Sequence, residues 1–190
     1  ARTGQVILER YGMTETNMIT SNPYDAERRA GTVGFPLPGV EVRIADAVSG
    51  AILPQGEIGV IEVRGPNVFR GYWQMPEKTA QEFRPDGFFI TGDMGRIDAQ
   101  GYVSIVGREK DLVITGGLNV YPAEVEALLD ALPAVRESAV IGLPHPDFGE
   151  AVTAVVVAAD PAGFDEAAIR TQLGHDLAAF KVPKRIIAVP

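Results

Sequence analysis

Side chains that could perform chemistry are concentrated in three short segments that also contain glycine. These segments are Tyr11-Gly12-Met13-Thr14-Glu15-Thr16, Thr91-Gly92-Asp93 and Gly107-Arg108-Glu109-Lys110-Asp111. A threonine hydroxyl can donate a hydrogen bond to an anionic oxygen, and an ionised carboxylate can accept two hydrogen bonds at once. A carboxylate is also a suitable ligand for Mg²⁺, a hard cation that prefers oxygen. The sequence has no cysteine, so a thiolate nucleophile is excluded, and no metal or base role is expected for His145 or His175.

The elements that must position these segments differ between the two parts of the chain. In the first part, apolar and polar residues alternate at 40–44 and 61–64, which is typical of half-buried strands. A turn signal at 98–101 predicts a hairpin, and frequent glycine and proline favour a small barrel or sandwich. Residues 11–16 could also be a turn without a chemical role, following a buried strand at 6–8.

Helical patterns begin only after residue 107. Pro122 suits the first position of a helix, and an apolar stripe follows it at Val125, Leu128, Leu129 and Leu132. Asp165 can cap a second helix, with Phe164 and Ile169 as a hydrophobic staple. Strands are expected at 138–143, 151–159 and 185–189, with a loop at 144–150. The sequence therefore predicts a mixed fold, with a β-rich, distorted barrel-like segment over 1–107 and a small α+β domain over 108–190.

Composition limits the possible partners. The formal net charge is -8 with both signs interspersed, which argues against a nucleic-acid surface. Hydrophobic residues make up 46% and charged residues 22%, the balance of a globular protein. No apolar run approaches the ~20 residues of a transmembrane helix. The lack of cysteine fits a reducing compartment, and we expect a cytoplasmic protein.

Four segments, in their order and spacing, resemble the signature of the adenylate-forming superfamily. This superfamily includes acyl-CoA synthetases, luciferases and the adenylation domains of peptide synthetases. The segments are residues 11–16, Gly65-Pro66-Asn67-Val68 with Gly71-Tyr72-Trp73, Thr91-Gly92-Asp93, and residues 107–111 running on to Gly117 and Glu124-Val125-Glu126. The resemblance extends over essentially the whole chain. Within the superfamily, residues 10–18 and 114–122 are most similar to ligases of the malonyl-CoA type.

The resemblance implies a two-step reaction with ATP, Mg²⁺ and coenzyme A. A small carboxylic acid attacks the α-phosphate of ATP to give an acyl-adenylate and pyrophosphate, and the thiol of coenzyme A then displaces AMP. Positioning and charge neutralisation would supply most of the catalysis, because the phosphates and the acid repel each other. The first part of the chain would be the C-terminal part of the large nucleotide-binding domain, and the second a small mobile C-terminal domain.

The resemblance also assigns site residues. Thr14 and Glu15 match a catalytic pair, in which the hydroxyl contacts the α-phosphate and the carboxylate holds Mg²⁺. Tyr11, followed by Gly12, matches an aromatic residue that stacks on adenine. Asp93 matches the acceptor of both ribose hydroxyls.

Three further positions lie at or beyond the junction of the two parts. Arg108 matches a ligand of the ribose or the phosphates, although a surface salt bridge is the alternative. Lys110 matches the hinge about which the small domain turns between the two half-reactions. Gly117 matches a glycine that lets the pantetheine arm of coenzyme A pass, but Gly116-Gly117 could also be only a hairpin bend. For Tyr72 and Trp73 we expect packing roles.

Two parts of the family pattern do not occur in these 190 residues. They are a Ser/Thr/Gly-rich phosphate loop upstream of residue 11 and a Gly-Lys with the catalytic lysine near the C-terminus; Lys181 and Lys184 are not that lysine. We therefore expect the 190 residues alone to be inactive. Two alternatives stay open at this point: an adenylation domain of the peptide-synthetase type, and a structural or binding module with no activity.

Overall fold

The computed structural model describes residue 4 and residues 7–189. Contacts divide the chain into two compact units, Ala1–Glu109 and Lys110–Pro190. Both units are built around antiparallel strand pairs, and helices are prominent only in the second. The mixed, strand-rich fold class predicted from the sequence is confirmed.

The first unit contains two antiparallel sheets and one short helix. The three-stranded sheet is formed by β1 (Arg10–Met13), β2 (Asn17–Ser21) and β3 (Phe35–Pro36), in that order. The four-stranded sheet is formed in sequence order by β4 (Glu41–Ala45), β5 (Gly59–Arg64), β6 (Phe89–Ile97) and β7 (Val103–Arg108). The helix α1 (Pro76–Gln81) lies between β5 and β6 in sequence. An antiparallel bridge between Gly34, next to β3, and Val103 of β7 connects the two sheets.

The predicted strands at 40–44 and 61–64 correspond to β4 and β5. Ile44, Ile61 and Val63 are buried in one cluster, to which Tyr11 and Ile19 of the other sheet also belong. The predicted hairpin is confirmed as well, since β6 and β7 pair and Gly101 N donates to Asp98 O at 2.9 Å.

Two local expectations for the first unit were wrong. Ile7 is 77% exposed and no strand forms at 7–9, so no buried strand precedes Tyr11 there; Val6 lies outside the described residues. Glu62, which alternation assigns to solvent, is completely buried. Its carboxylate is neutralised by Arg43 Nε and Arg84 Nε, each at 2.7 Å, and this pairing makes the burial of its charge tolerable.

The second unit is a five-stranded sheet with two helices. Its elements are β8 (Val113–Thr115), β9 (Leu118–Val120), α2 (Pro122–Asp130), β10 (Val135–His145), β11 (Gly149–Ala158), α3 (Glu166–Asp176) and β12 (Arg185–Val189). The strand order is β10-β11-β8-β9, and β12 pairs in parallel with β11. The sequence predicted α2, β10, β11, α3 and β12 in this order but did not locate β8 and β9.

Both predicted helices of the second unit begin at the expected residues, but α2 ends at Asp130, two residues before Leu132. Pro122 occupies the first turn of α2, and Val125 and Leu129 are buried while Leu128 and Leu132 are partly buried. Asp165 caps α3 by accepting a hydrogen bond from Ala168 N at 3.0 Å. The predicted loop at 144–150 is shorter than expected, because Pro144 and His145 pair with Glu150 and Gly149. Pro144 lies on β10, the terminal strand of this sheet, and proline is tolerated on terminal strands because N–H groups on their outer side have no partner strand.

No helix within residue 4 and residues 7–189 is long and apolar enough to cross a membrane.

Candidate functional site

Thr14, Glu15 and Thr16 form the turn that connects β1 to β2. Thr16 N donates to Met13 O at 3.2 Å and closes this turn. Gly12 precedes it at a break in the register of the two strands, and a Cβ there would lie 2.1 Å from the carbonyl oxygen of Asn17. No side chain fits so close to backbone, which explains why Gly12 is required for this hairpin. Thr14 is exposed and Glu15 is half-buried.

Residues far along the chain hold this turn in place. Asn67 donates from Nδ2 to the carbonyl oxygens of Thr16 at 2.8 Å and Met18 at 3.1 Å. Phe69 N donates to the carbonyl oxygen of Glu15 at 2.7 Å. The turn is therefore fixed by the second of the four signature segments rather than by its own sequence alone.

The carboxylate of Glu15 has a hydrogen-bond partner. Tyr72 donates from its hydroxyl to Glu15 Oε1 at 3.1 Å. Burial, followed by the hydrogen bond to Glu15, raises the pKa of Tyr72 to about 12, so the hydroxyl remains a donor at neutral pH.

Glu15 fits the manner in which Mg²⁺ is usually bound. Within the described residues, no group of three or more His, Cys, Asp or Glu side chains could hold a metal ion. Mg²⁺ usually takes one or two carboxylates and completes its shell with water and substrate phosphates, so a single half-buried glutamate is sufficient. A carboxylate has about four lone-pair sites, and Tyr72 uses one of them.

Asp93 lies on β6 between two partners. Its Oδ2 accepts the hydroxyl of Tyr11 at 2.6 Å, and its Oδ1 lies 3.6 Å from Arg108 Nε. Asp93 and Arg108 stand directly opposite each other in the β6–β7 pair. Thr91 fixes the local backbone by accepting from Asp93 N at 3.1 Å and donating to Ile61 O at 2.8 Å. The Asp93 side chain keeps 16% exposure, so a ligand can reach it.

The structure thus brings together Tyr11, Asp93 and Arg108. Tyr11 is only 7% exposed, and burial and then the bond to Asp93 raise the pKa of its hydroxyl. Because its ring is packed into the core of the unit, the observed contribution of Tyr11 is the hydroxyl that it gives to Asp93. Stacking on adenine stays a prediction. Arg108 is 63% exposed and forms an ion pair with Asp93, so the salt bridge given as its alternative role is present.

The expectation for Trp73 also has a clear outcome. Trp73 is 86% exposed, so its expected packing role is wrong within the described residues.

The remaining predicted residues belong to the second unit. Lys110 is exposed in a short 3-10 helix, Glu109–Asp111, and the division between the units falls between Glu109 and Lys110. Gly116 and Gly117 form the two-residue turn between β8 and β9, with φ of 57° and 78°. Such a turn requires positive φ at both central residues and therefore favours glycine. The turn alone explains both glycines, and open space surrounds Gly117, where an added Cβ would meet no atom within 4 Å.

Sequence reasoning missed Asn67 and Tyr72 as site residues. Both lie in segments that were noted as family signature, but an amide or a phenol in a glycine-rich loop carries no local sign of its partner. The signal that could have found them is their position in the second of the four signature segments.

Comparisons with known proteins found two family models that match parts of this chain. Residues 1–73 match the family model described as AMP-binding enzyme, and residues 124–190 match the model described as AMP-binding enzyme C-terminal domain. The ATP-bound crystal structure of MatB from Rhodopseudomonas palustris is 64% identical, with a TM-score of 0.94 over 98% of this chain and 37% of that one.

Curated relatives are similar over the same part of their length. A probable CoA ligase, CCL8, of Humulus lupulus is 44% identical over 97% of this chain and 32% of its own length. The malonate–CoA ligase of Arabidopsis thaliana is 46% identical over 82% of this chain and 25% of its own length. The chain thus spans about a third of the length of the first relatives it matches, and within that span it belongs to the AMP-binding, adenylate-forming enzyme family.

Proposed function

We propose that this chain is part of an AMP-forming acyl-CoA synthetase and contributes the ribose-binding and metal-binding side of its ATP site. The observation that carries the proposal is the hydrogen bond from Tyr11 to Asp93. It joins Tyr11, which lies three residues before Thr14, to Asp93, and this supports one nucleotide site for these residues. The ATP-bound state of MatB, 64% identical to this chain, supports the same conclusion.

Each residue would have one task. Asp93 would accept the ribose hydroxyls, for which an ionised carboxylate with free lone pairs is suited. Arg108 would add positive charge next to the ribose or phosphates, and the Thr14 hydroxyl would donate to the α-phosphate. Glu15 would hold Mg²⁺, which would neutralise phosphate charge as the acid attacks.

The second unit would serve the second half-reaction. Lys110 would act as the hinge, a role supported by its place at the division between the units. Gly117 would line the path of the pantetheine arm, supported by the open space around it. We propose coenzyme A as the acceptor because both curated relatives described above are named CoA ligases. This favours a CoA ligase over a peptide-synthetase adenylation domain.

For the acid we propose malonate, and for the location the cytoplasm. The malonate assignment is supported by the name of the Arabidopsis relative and by residues 10–18 and 114–122. The cytoplasmic location is supported by the absence of cysteine from the sequence.

The test is a chimeric ligase, in which residues 1–190 replace the matched segment of the Rhodopseudomonas palustris MatB. We expect it to catalyse ATP–pyrophosphate exchange with malonate and to form a CoA thioester. Asp93→Asn in this enzyme should weaken AMP binding about 10- to 100-fold, because a hydrogen bond to a charged group contributes about 1.5–3 kcal/mol. Calorimetry with AMP and with 3′-deoxy-AMP measures this, and the variant should lose most of its preference for AMP.

Two outcomes would contradict parts of the proposal. A folded chimeric ligase that forms neither acyl-adenylate nor thioester would refute the catalytic assignment. Retention of full AMP affinity in Asp93→Asn would place Asp93 outside the ribose site.

A further inference from the structure

The Gly71-Tyr72-Trp73 segment has no task in the function proposed above, yet it contacts a residue of the site directly. Tyr72 donates to Glu15 Oε1 at 3.1 Å, while Phe69 N, three residues earlier, donates to the carbonyl oxygen of Glu15 at 2.7 Å. The backbone and the side chain of Glu15 are therefore both held by one short segment, 54 to 57 residues further along the chain.

Tyr72 is itself firmly placed. Its N–H donates to Thr79 Oγ1 at 2.9 Å, and that hydroxyl donates to Met75 O at 2.9 Å. Its ring meets Phe69 edge-on at 4.8 Å between centroids, and Lys78 Nζ lies 4.5 Å from the centroid of the Tyr72 ring. A phenol anchored at its backbone, ring and hydroxyl leaves the Glu15 carboxylate little freedom to rotate.

We propose that Tyr72 is a positioning residue that orients the carboxylate of Glu15 toward the bound metal ion. This inference rests on the proposed role of Glu15 as a magnesium ligand. Tyr72 takes one lone pair of Oε1 and leaves the other oxygen to the cation. As a neutral donor it fixes the carboxylate without cancelling its charge, whereas a lysine or arginine in the same place would compete with the metal.

The magnitude follows from similar sites. Loss of a group that hydrogen-bonds a metal-ligating side chain typically lowers metal affinity 10- to 100-fold. Tyr72→Phe keeps the ring and its contacts with Phe69 and removes only the hydroxyl. We expect Tyr72→Phe to lower the metal affinity about tenfold, near the lower end of this range, because the 3.1 Å hydrogen bond to Glu15 is of ordinary length.

The experiment measures binding in the chimeric ligase without acid substrate, so that no reaction occurs. Calorimetry gives the affinity for ATP with Mg²⁺ and with a chelator, and the ratio of the two is the gain from the metal. Tyr72→Phe should reduce this gain about tenfold and leave the affinity for metal-free AMP unchanged. The matched control is Tyr102→Phe, which removes a tyrosine hydroxyl that donates to a backbone carbonyl, Glu27 O, at 3.0 Å; it should change neither quantity.

Glu15→Gln separates the inference from the function on which it rests. If Glu15→Gln lowers the metal gain and Tyr72→Phe does not, the positioning role is wrong and the proposed function survives. If Glu15→Gln has no effect, the metal role of Glu15 and the positioning role of Tyr72 both fail. If Tyr72→Phe lowers the affinity for metal-free AMP as much as it lowers the gain from the metal, the substitution damages the whole site. The inference would then also be wrong.

Discussion

The Tyr11 hydroxyl donates to Asp93 Oδ2 at 2.6 Å and joins two sheets through residues 82 positions apart. Tyr11 belongs to the three-stranded sheet and Asp93 to the four-stranded one. The bond therefore has two consequences. It orients Asp93, a proposed ribose ligand, and it gives the buried hydroxyl of Tyr11 a hydrogen-bond acceptor. A substitution that removes this bond at either residue should therefore change the free energy of unfolding of the first unit.

Asp93→Ala should destabilise the first unit through Tyr11. The variant leaves a nearly buried hydroxyl without its acceptor, which costs about 1–3 kcal/mol. Tyr11→Phe added to Asp93→Ala should recover much of this loss, because no unsatisfied group then remains. Urea unfolding of the 190-residue chain measures the cycle, with the exposed Tyr24→Phe as control. Additive effects in the double variant would mean that the two side chains are not coupled.

Glu62→Ala should be among the more damaging substitutions of the β4–β5 region. Two guanidinium groups, of Arg43 and Arg84, would lose a fully buried partner, and breaking such a pair costs about 3–5 kcal/mol. The arginines are partly exposed, so we expect a value near the lower end. Glu41→Gln is the matched control, since Glu41 pairs with Arg64 on an exposed surface and should change the free energy of unfolding little. Equal effects of the two variants in thermal unfolding would contradict the structural role of Glu62.

Lys110→Pro should separate the two half-reactions of the chimeric ligase. Lys110 lies in a 3-10 helix, whose φ of about -50° to -70° proline accepts, so the observed backbone should be retained. A hinge residue must change φ, and proline prevents that change. Pyrophosphate exchange should persist while thioester formation falls, and Lys110→Ala should affect the second step much less. A parallel loss of both steps in Lys110→Pro would exclude the hinge.

Gly117→Asn tests whether space at this turn matters for coenzyme A. Asparagine tolerates positive φ better than other residues, so the hairpin should form. Thioester formation should decrease while pyrophosphate exchange is unchanged. Gly116→Asn, at the neighbouring turn position, is the control for strain in the hairpin. If both variants lose thioester formation to a similar extent, the only role of Gly117 is to form the turn.

Asp46 should contribute to stability only above its pKa. The N–H of Ser49, then the hydroxyl of Ser49, lower the pKa of Asp46 below its usual value of 3.8. A carboxylate with a lowered pKa in the folded state stabilises the fold above the unfolded pKa and loses that contribution as the pH falls. Carbon-detected NMR titration should place the midpoint of Asp46 below 3.8. Asp46→Asn should remove its share of the pH dependence below about pH 4, and a midpoint at or above 3.8 would refute the effect.

Local patterns predicted most of the fold but not the contacts that complete the site. Periodicity and caps gave α2, α3, β11 and β12 within a few residues, because the forces that form them act within one element. The alternation of apolar and polar residues wrongly predicted an exposed Glu62. This pattern takes no account of Arg84, which lies twenty-two residues later in the sequence. Tyr72 was assigned to packing for the same reason. Its partner, Glu15, is fifty-seven residues away in sequence, and only the tertiary fold brings the two together.

The hydrogen bonds of Asn67 also affect the order in which parts of the first unit fold. Its amide reaches back 49 and 51 residues to Met18 and Thr16, so the turn that carries Thr14 and Glu15 closes a long loop of chain. Such closure is entropically costly and slows folding relative to local contacts. Amides in this turn should consequently gain hydrogen-exchange protection later during refolding than those of the local β6–β7 hairpin. This turn would then be among the last parts of the first unit to fold.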